Sequence, residues 1–261
     1  MIESRPRRNH LRSVPPVVAD PVNSLLHLDS SHSGNSVSRH LTSLYADTWR
    51  ELHGSAGYRH RDVAGDPVPL IGPAYCALAR RLETQPRPVP LNRVDSLVSN
   101  TAEKHEWALT RPLVEDLLAA DTVLLGVPVY NFSLPASLKA WIDRVTVPGV
   151  FVDPDTEDSL LRGTEVVVVT ARGGRHRPGF DFQEPYLRAY FGDLGVPEAN
   201  LRFVHAEMTR APDSARPSRF QALGAESLAA ARVAVTELAG RTGQAFASSS
   251  VESFDVSRIE P

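Results

Sequence analysis

The sequence predicts an α/β fold with a doubly wound parallel sheet, and two observations support this prediction. Short apolar or β-branched runs recur along the chain, and polar loops and helical patterns follow them. The run TEVVVVTA is apolar on both faces, as expected for a strand that helices cover on each side of a parallel sheet. The predicted strands span residues 24–29, 58–63, 121–130, 164–171 and 201–207, with 58–63 as a weaker edge strand.

Helical periodicity predicts helices between these strands. Ser133 is the expected N-cap of the helix that follows the third strand, with Pro135 in its first turn. A further helix over 185–195 ends at a glycine, the last helix spans 219–238, and residues 71–120 have a helical pattern that prolines interrupt. The predicted buried faces consist of Val37, Leu41, Leu44, Tyr45 and Leu52 in the first helix, Leu134, Leu138, Trp141, Ile142 and Val145 in the helix after the third strand, and Leu223, Leu228, Ala231, Val235 and Leu238 in the last helix.

Length and composition predict one globular domain with two tails. The chain has 261 residues, of which 42% are hydrophobic and 23% are charged, as is typical of soluble globular proteins. We expect a single domain over 23–243, which includes a helical or loop excursion over 53–110. The flanking segments, a disordered N-terminal tail over 1–22 and a loose C-terminal tail over 244–261, are expected to lie outside the core.

Charge and hydropathy argue against two classes of partner. The net charge of −3 provides no basic field for a nucleic acid. No apolar run approaches the ~20 residues that a membrane-spanning helix needs, so no membrane partner is expected. The single cysteine, Cys76, is expected to be an inert packing residue and is compatible with a reducing cytoplasm, where we expect the protein to act.

The histidines are not predicted to bind a metal. The nine histidines show none of the common metal-ligand spacings. His27 and His205 lie inside predicted strands and are expected to be hydrogen-bonded core residues.

Ligands of such sheets bind beyond the carboxyl ends of the strands, and the first loop there is rich in serine. DSSHSGNSVS at 29–38 leads directly into a helix, whose N-terminal N–H groups lack partners and carry partial positive charge. The hydroxyls of Ser31, Ser36 and Ser38, beside the flexible Gly34, would form a neutral cradle for a phosphate monoester. The alternative is that these serines only cap the helix.

The second loop, VPVYNFSLP at 127–135, combines aromatic rings with an amide. Pro128 restricts the turn, Tyr130 and Phe132 place aromatic rings at the sheet edge, and Asn131 offers a donor and an acceptor. An aromatic wall with amides suits a flat heteroaromatic ring. The alternative is that both rings belong to the core.

The third loop, TARGGRHRPG at 170–179, contains consecutive glycines. Gly173 and Gly174 allow the backbone to approach a ligand closely, although a Gly-Gly pair also forms ordinary turns. Arg172, Arg175 and Arg177 form a basic cluster that either attracts an anionic cofactor or dye substrate or faces solvent.

Together the three loops resemble those of the FMN-dependent NADH azoreductase and NAD(P)H quinone reductase family, over residues 24–240. VPVYNFSLPASLKAWIDRV at 127–145 resembles the family's flavin loop and the helix after it. DSSHSGNSVS is similar to the phosphate loop, TARGG to the second flavin loop, and EPYLRAYFGDLGV at 184–196 to the helix before the last strand. The resemblance implies a flavodoxin-like fold, a single domain whose five parallel strands have the order 2-1-3-4-5.

The resemblance also implies the residues that bind FMN. The family often has a serine where Ala171 stands, so one hydroxyl contact is missing here. The implied contacts of the phosphate are Ser31, Ser36, Val37 and Ser38, and those of the isoalloxazine ring are Pro128, Val129, Tyr130, Asn131 and Phe132 on one side and Ala171, Arg172, Gly173 and Gly174 on the other.

The implied function is an FMN-dependent oxidoreductase that takes electrons from NADH or NADPH and passes two of them to quinone, azo or related aromatic acceptors. The chemistry takes place on FMN, so no side chain is expected to be an obligatory acid or base. Turnover is expected to be ping-pong, in a homodimer with its active site between the subunits. Two alternatives remain: a flavin or tailoring reductase dedicated to one pathway, and a non-catalytic flavodoxin-like electron-transfer or binding protein.

Overall fold

The structure, a computed structural model, describes residues 23–177, 179–211 and 218–241 and is built on one parallel sheet. Its five strands have the order β2-β1-β3-β4-β5, which confirms the predicted flavodoxin-like order 2-1-3-4-5. The strands are β1 (Leu25–Asp29), β2 (Tyr58–Asp62), β3 (Thr122–Pro128), β4 (Glu165–Ala171) and β5 (Leu201–Ala206). The helices are α1 (Val37–His53), α2 (Pro73–Glu83), α3 (Thr101–Leu118), α4 (Ala136–Val145), α5 (Glu184–Asp193) and α6 (Ser218–Arg241).

Helices cover both faces of the sheet, and the central strands β3 and β4 are almost wholly buried between them. All residues of β3 are buried. Val123 and Leu125 of β3 pack into a large core with residues of α2, α3, α4 and α5. Leu124 points to the opposite face and packs into a smaller core with residues of α1 and α6. The alternation follows from the period of two in a strand.

The structure corrects two details of the predicted helices. Leu52 was expected on the buried face of α1 but is 58% exposed. The last buried residue of α1 is Trp49 instead, and its ring contacts the ring of His53 at a tilt of 47° and a centroid distance of 5.0 Å. Ser133 is not the N-cap of α4: that position belongs to Pro135, and Ser133 takes part in the preceding turn.

The excursion over 53–110 contains regular structure. It holds strand β2, helix α2, a short 3-10 helix over Leu91–Leu97 and the start of α3. The buried Arg144 of α4 anchors the loop before α2, because its guanidinium donates to Pro69 O at 2.9 Å and to Leu70 O at 3.0 Å. Cys76 was expected to pack in the core, but it lies on the exposed side of α2.

The two predicted tails, 1–22 and 244–261, lie outside the described residues. Within the described part of the chain, no helix combines the length and the apolar character that crossing a bilayer requires.

Candidate functional site

The serine-rich loop ends in a capped helix N-terminus. Ser36 is the N-cap of α1, and its hydroxyl accepts a hydrogen bond from Arg39 N–H at 3.4 Å. The first turn of α1 contains no acidic residue, so nothing in that turn neutralises the partial positive charge of the helix end. A cleft of about 490 Å³ opens there, and it is lined by Gly34, Asn35, Ser36, Val37, Arg39, His40, Ser43, Leu228 and Arg232.

The structure brings only part of the predicted phosphate loop to this cleft. Ser36 and Val37 line it, whereas Ser31 and Ser38 are buried and do not. The Ser38 hydroxyl lies 3.0 Å from that of Ser36 and supports it. The Ser31 hydroxyl lies 3.3 Å from Tyr130 Oη, which ties the first loop to the second.

Arg39 is a residue that the sequence interpretation missed. Its guanidinium donates twice to Ser31 O, at 3.0 and 2.6 Å, and so fixes the loop. It also pairs with Asp62 of β2 at 2.5 Å, and this hydrogen bond raises the pKa of Arg39. The cation is thus shared between the phosphate loop and the edge strand.

The second loop is a tight turn with strained backbone. Tyr130 N–H donates to Ser133 O and Ser133 N–H donates to Tyr130 O, both at 3.0 Å. The two residues between them have positive φ, 48° at Asn131 and 71° at Phe132. Two consecutive positive φ values define a type I′ turn, which usually requires Asn or Gly. An aromatic residue in this conformation indicates a site where function outweighs local strain.

A buried glutamine, which the sequence interpretation also missed, holds this turn. Gln183 precedes α5, and its side-chain amide donates to Pro128 O at 3.1 Å and to Ser133 O at 3.3 Å. Phe182 N–H donates to Phe132 O at 3.0 Å. The turn is therefore fixed by hydrogen bonds to its backbone, from a segment 50 residues further along the chain.

In the third loop, Arg172 has a structural environment. Its guanidinium pairs with Asp181 at 2.8 Å and contacts His176 Nδ1 at 2.7 Å. Burial works to raise the pKa of Asp181, but the hydrogen bond from Arg172 and the backbone N–H groups of residues 183 and 184 outweigh it, so the pKa is lowered. The ion pair shapes the loop and leaves the two glycines at its surface.

The second and third loops together enclose a cleft of about 530 Å³. Pro128 and Ala171 were predicted to contact the ligand, but both are buried strand ends and do not line it. Instead they set its floor, because Val129 N–H donates to Ala171 O at 2.8 Å. The cleft is lined by Val129, Tyr130, Asn131, Phe132, Arg172, Gly173, Gly174, Arg175, Arg177, Phe180 and Arg210.

The residues of this cleft fit a flat, electron-accepting ring. Phe132 and Phe180 form an aromatic pair with centroids 5.8 Å apart. The backbone N–H groups of residues 131, 132, 173 and 174 make no hydrogen bond within the described part of the chain, so they are available to ring oxygens and nitrogens. A Cβ at Gly174 would meet no atom within 4 Å, so the backbone there is open to the cleft.

Fold and cleft together define a flavodoxin-like α/β protein with its ligand loops at the carboxyl edge of the sheet. A family model described as "Flavodoxin-like fold" matches residues 23–228. The chain is 38% identical over 219 residues to an FMN-dependent NADH:quinone oxidoreductase of Nocardia farcinica. This alignment covers 80% of this chain and 96% of that protein. It is 39% identical over 187 residues to FMN-dependent NADH:quinone oxidoreductase 1 of Trichormus variabilis, and this alignment covers 70% of this chain and 83% of that protein.

The chain therefore belongs to the flavodoxin-like family that contains these quinone oxidoreductases. Among solved structures, an azoreductase from Bacillus anthracis str. Sterne superposes with a TM-score of 0.66. The two share 18% sequence identity, over 84% of this chain and 99% of that one. At this level of identity, the comparison supports the fold.

Proposed function

We propose that this protein is an FMN-dependent oxidoreductase that takes electrons from NADH or NADPH and reduces quinones, azo compounds or related aromatic acceptors. The observation that supports this most strongly is the strained Tyr130–Ser133 turn, which faces Gly173 and Gly174 across one cleft. The family relationship supports the same function, because both curated relatives named above are FMN-dependent NADH:quinone oxidoreductases.

FMN would be held by two groups of residues. Ser36 and Val37 would meet the phosphate at the N-terminus of α1, where the guanidinium of Arg232 adds positive charge. The segment Val129–Phe132 and the glycine pair Gly173–Gly174 would flank the ring system. When bound, FMN supplies the two-electron chemistry that protein side chains lack.

The chain's own residues would position the reactants and control charge. Backbone N–H groups of the cleft would orient the ring by hydrogen bonds to its polar edge. Arg175, Arg177 and Arg210 line the same cleft and favour the negative charge that accumulates in it. No side chain of the cleft is required as an acid or a base.

Donor and acceptor would use this cleft in succession, which requires a ping-pong mechanism. We also propose a homodimer, with the second subunit covering the mouth of the cleft. The exposed rings of Phe132, Phe180 and Phe182 support this proposal, because large apolar side chains that lie together in solvent usually mark an interface.

Steady-state kinetics test the proposed function. The rate of NADH oxidation is measured at several concentrations of a quinone, and the double-reciprocal plots are expected to be parallel. Intersecting lines would contradict the shared cleft. The absence of NADH oxidation with any quinone or azo acceptor would contradict the enzyme itself and favour an electron-transfer or binding protein. Size-exclusion chromatography with light scattering measures the mass in solution and tests the dimer, and a monomeric mass would contradict it.

A further inference from the structure

A second group of polar side chains lies between β1 and β2, outside the cleft. His27 of β1 and His60 of β2 are partners in the parallel register, and Asp29 follows two residues after His27 on the same face. Asp29 Oδ2 lies 3.4 Å from His27 Nε2 and 3.1 Å from His60 Nε2. One ligand atom from each of the three residues lies within 4.8 Å of the other two. We call these three residues the histidine cluster.

We propose that the histidine cluster binds a divalent transition-metal ion of the Zn²⁺ class, through the two imidazole Nε2 atoms and one carboxylate oxygen of Asp29. In a tetrahedral zinc site with bonds of ~2.0–2.1 Å, neighbouring ligand atoms are about 3.3 Å apart. The distances from Asp29 Oδ2 to His27 Nε2 and His60 Nε2, 3.4 and 3.1 Å, bracket this value. Two imidazoles and one carboxylate are a common ligand set for zinc and for other first-row metals.

His27 gives independent support for a ligand at this position. Its side chain is only 2% exposed, and its Nε2 atom has no hydrogen-bond partner in the described part of the chain. A buried polar atom without a partner is costly and needs an explanation. Because Nε2 points into the cluster, a metal ion there would satisfy it.

The other ring nitrogen of His27 is also arranged as in a metal site. His27 Nδ1 lies 2.9 Å from Tyr58 Oη. When Nδ1–H donates to this oxygen, Nε2 carries a lone pair that faces the cluster, and such an outer partner is typical of histidine ligands.

Asp29 is held ready as the anionic ligand. Thr42 of α1 donates to its Oδ1 at 2.9 Å and leaves Oδ2 directed at the two histidines.

One cation competes with the metal. Arg39 Nη1 lies 3.7 Å from Asp29 Oδ2. Its stronger contacts are to Ser31 O and Asp62, so Arg39 can keep its place in the loop when Asp29 binds an ion. Its positive charge lowers the affinity of the site without blocking it.

The ion can enter at the edge of the sheet. The side chain of His60 is 39% exposed on β2, the edge strand, whereas the side chains of His27 and Asp29 are buried. Water can supply the fourth ligand from this open side. The site does not depend on FMN, because none of its three residues lines either cleft.

Calorimetric titration of the full-length protein with ZnCl₂ tests the proposal, after chelator treatment and dialysis. We expect one high-affinity site per chain that includes His60. His60→Ala removes a ligand at an exposed edge position and should weaken Zn²⁺ binding by at least about tenfold, since loss of even an outer-shell partner costs about 10–100-fold. His105→Ala, at an exposed position on α3, is the matched control and should bind as the parent does.

Three outcomes would overturn the proposal. They are a parent protein without a stoichiometric site, a His60→Ala variant with parental affinity, and a His105→Ala variant with the same loss as His60→Ala. Asp29→Asn provides a second test that retains the shape of the side chain and its acceptor for Thr42. It should also weaken Zn²⁺ binding, and circular dichroism spectra equal to the parent's would show that both variants are folded. Co²⁺ in place of Zn²⁺ should give tetrahedral visible bands in the parent, and octahedral spectra would contradict the tetrahedral ligand set.

Discussion

The cleft over β3 and β4 and the histidine cluster between β1 and β2 are built in different ways. Backbone groups form much of the cleft, because its turn is fixed by main-chain hydrogen bonds and its far side is a glycine pair. Three side chains on neighbouring strands form the cluster. A site made of backbone depends on the elements that anchor its loops, whereas a site made of side chains depends on each of its residues. The following predictions test this difference, from the largest expected effect to the smallest.

Trp141 of α4, the helix that follows the cleft turn, packs in the large core and is only 1% exposed. Trp141→Ala should lower the free energy of unfolding by about 3–5 kcal/mol, because a large buried ring is replaced by a cavity. The protein that remains folded should still bind FMN, since no cleft atom is removed. Urea unfolding checks this, with Val233→Ala at an exposed site of α6 as the control. Unchanged stability would mean that this face of α4 does not pack in the core.

Gly126 of β3 lies beside the histidine cluster, because it is the register partner of Asp29. A Cβ at this position would lie 2.5 Å from Asp29 Oδ1 and 3.2 Å from Thr42 Cγ2. Gly126→Ala should therefore cost about 1–3 kcal/mol of stability through overpacking. It should also displace the carboxylate of the cluster and weaken Zn²⁺ binding, while FMN binding is retained.

Thermal unfolding and the two ligand titrations check the Gly126→Ala prediction. Gly192→Ala in α5 is the matched control, since a Cβ there would meet no atom within 4 Å. Loss of FMN binding together with Zn²⁺ binding in Gly126→Ala would show that the two sites are not separable.

Ser36→Asp tests the phosphate end of the site. Aspartate is a good N-cap, so the variant should fold as the parent does. Its charge would lie close to the phosphate dianion, and at ~4 Å and an effective dielectric near ~20 a like-charge pair costs about 4 kcal/mol before screening. Even a third of this energy would lower the affinity for FMN about tenfold. Ser36→Asn keeps the cap without the charge and serves as the control. Full FMN affinity in Ser36→Asp would show that the loop only caps α1.

Phe132→Gly separates the backbone of the turn from its side chain. Phe132 has a φ of 71°, and its side chain is 51% exposed, so little packing is lost. Relief of this strain should raise the free energy of unfolding by up to about 1 kcal/mol. Thermal unfolding measures it, and the turnover rate with a quinone should fall because the aromatic wall is removed. A less stable variant would mean that the phenyl ring, not the backbone, fixes the turn.

The sequence predicted what depends on local pattern. Buried strands such as TEVVVVTA and loops that follow strands have a local signature, so the strands, the cleft turn at Tyr130 and the glycines at Gly173 were identified from the residues. The strand order, which no local pattern contains, followed from the family resemblance. Features that depend on contacts far apart in the chain were missed. Gln183 reaches a turn 50 residues away, and the partners His27 and His60 come together through strand register.

The remaining errors have the same cause. Leu52 and Cys76 follow helical patterns, but the neighbours that decide whether a helical face is buried come from other segments. Ser133 has the chemistry of an N-cap, yet Gln183 and Tyr130 hold it in the turn before α4. A single sequence contains no local signal for either arrangement.

The most direct test of the proposed function is a fluorescence titration of the flavin-free protein with FMN and, in parallel, with riboflavin. We expect FMN fluorescence to change to saturation at one flavin per chain. Riboflavin should bind at least about tenfold more weakly, because it lacks the phosphate that meets the N-terminus of α1. A protein that does not bind FMN, or that binds both flavins equally, would contradict the assignment of this cleft.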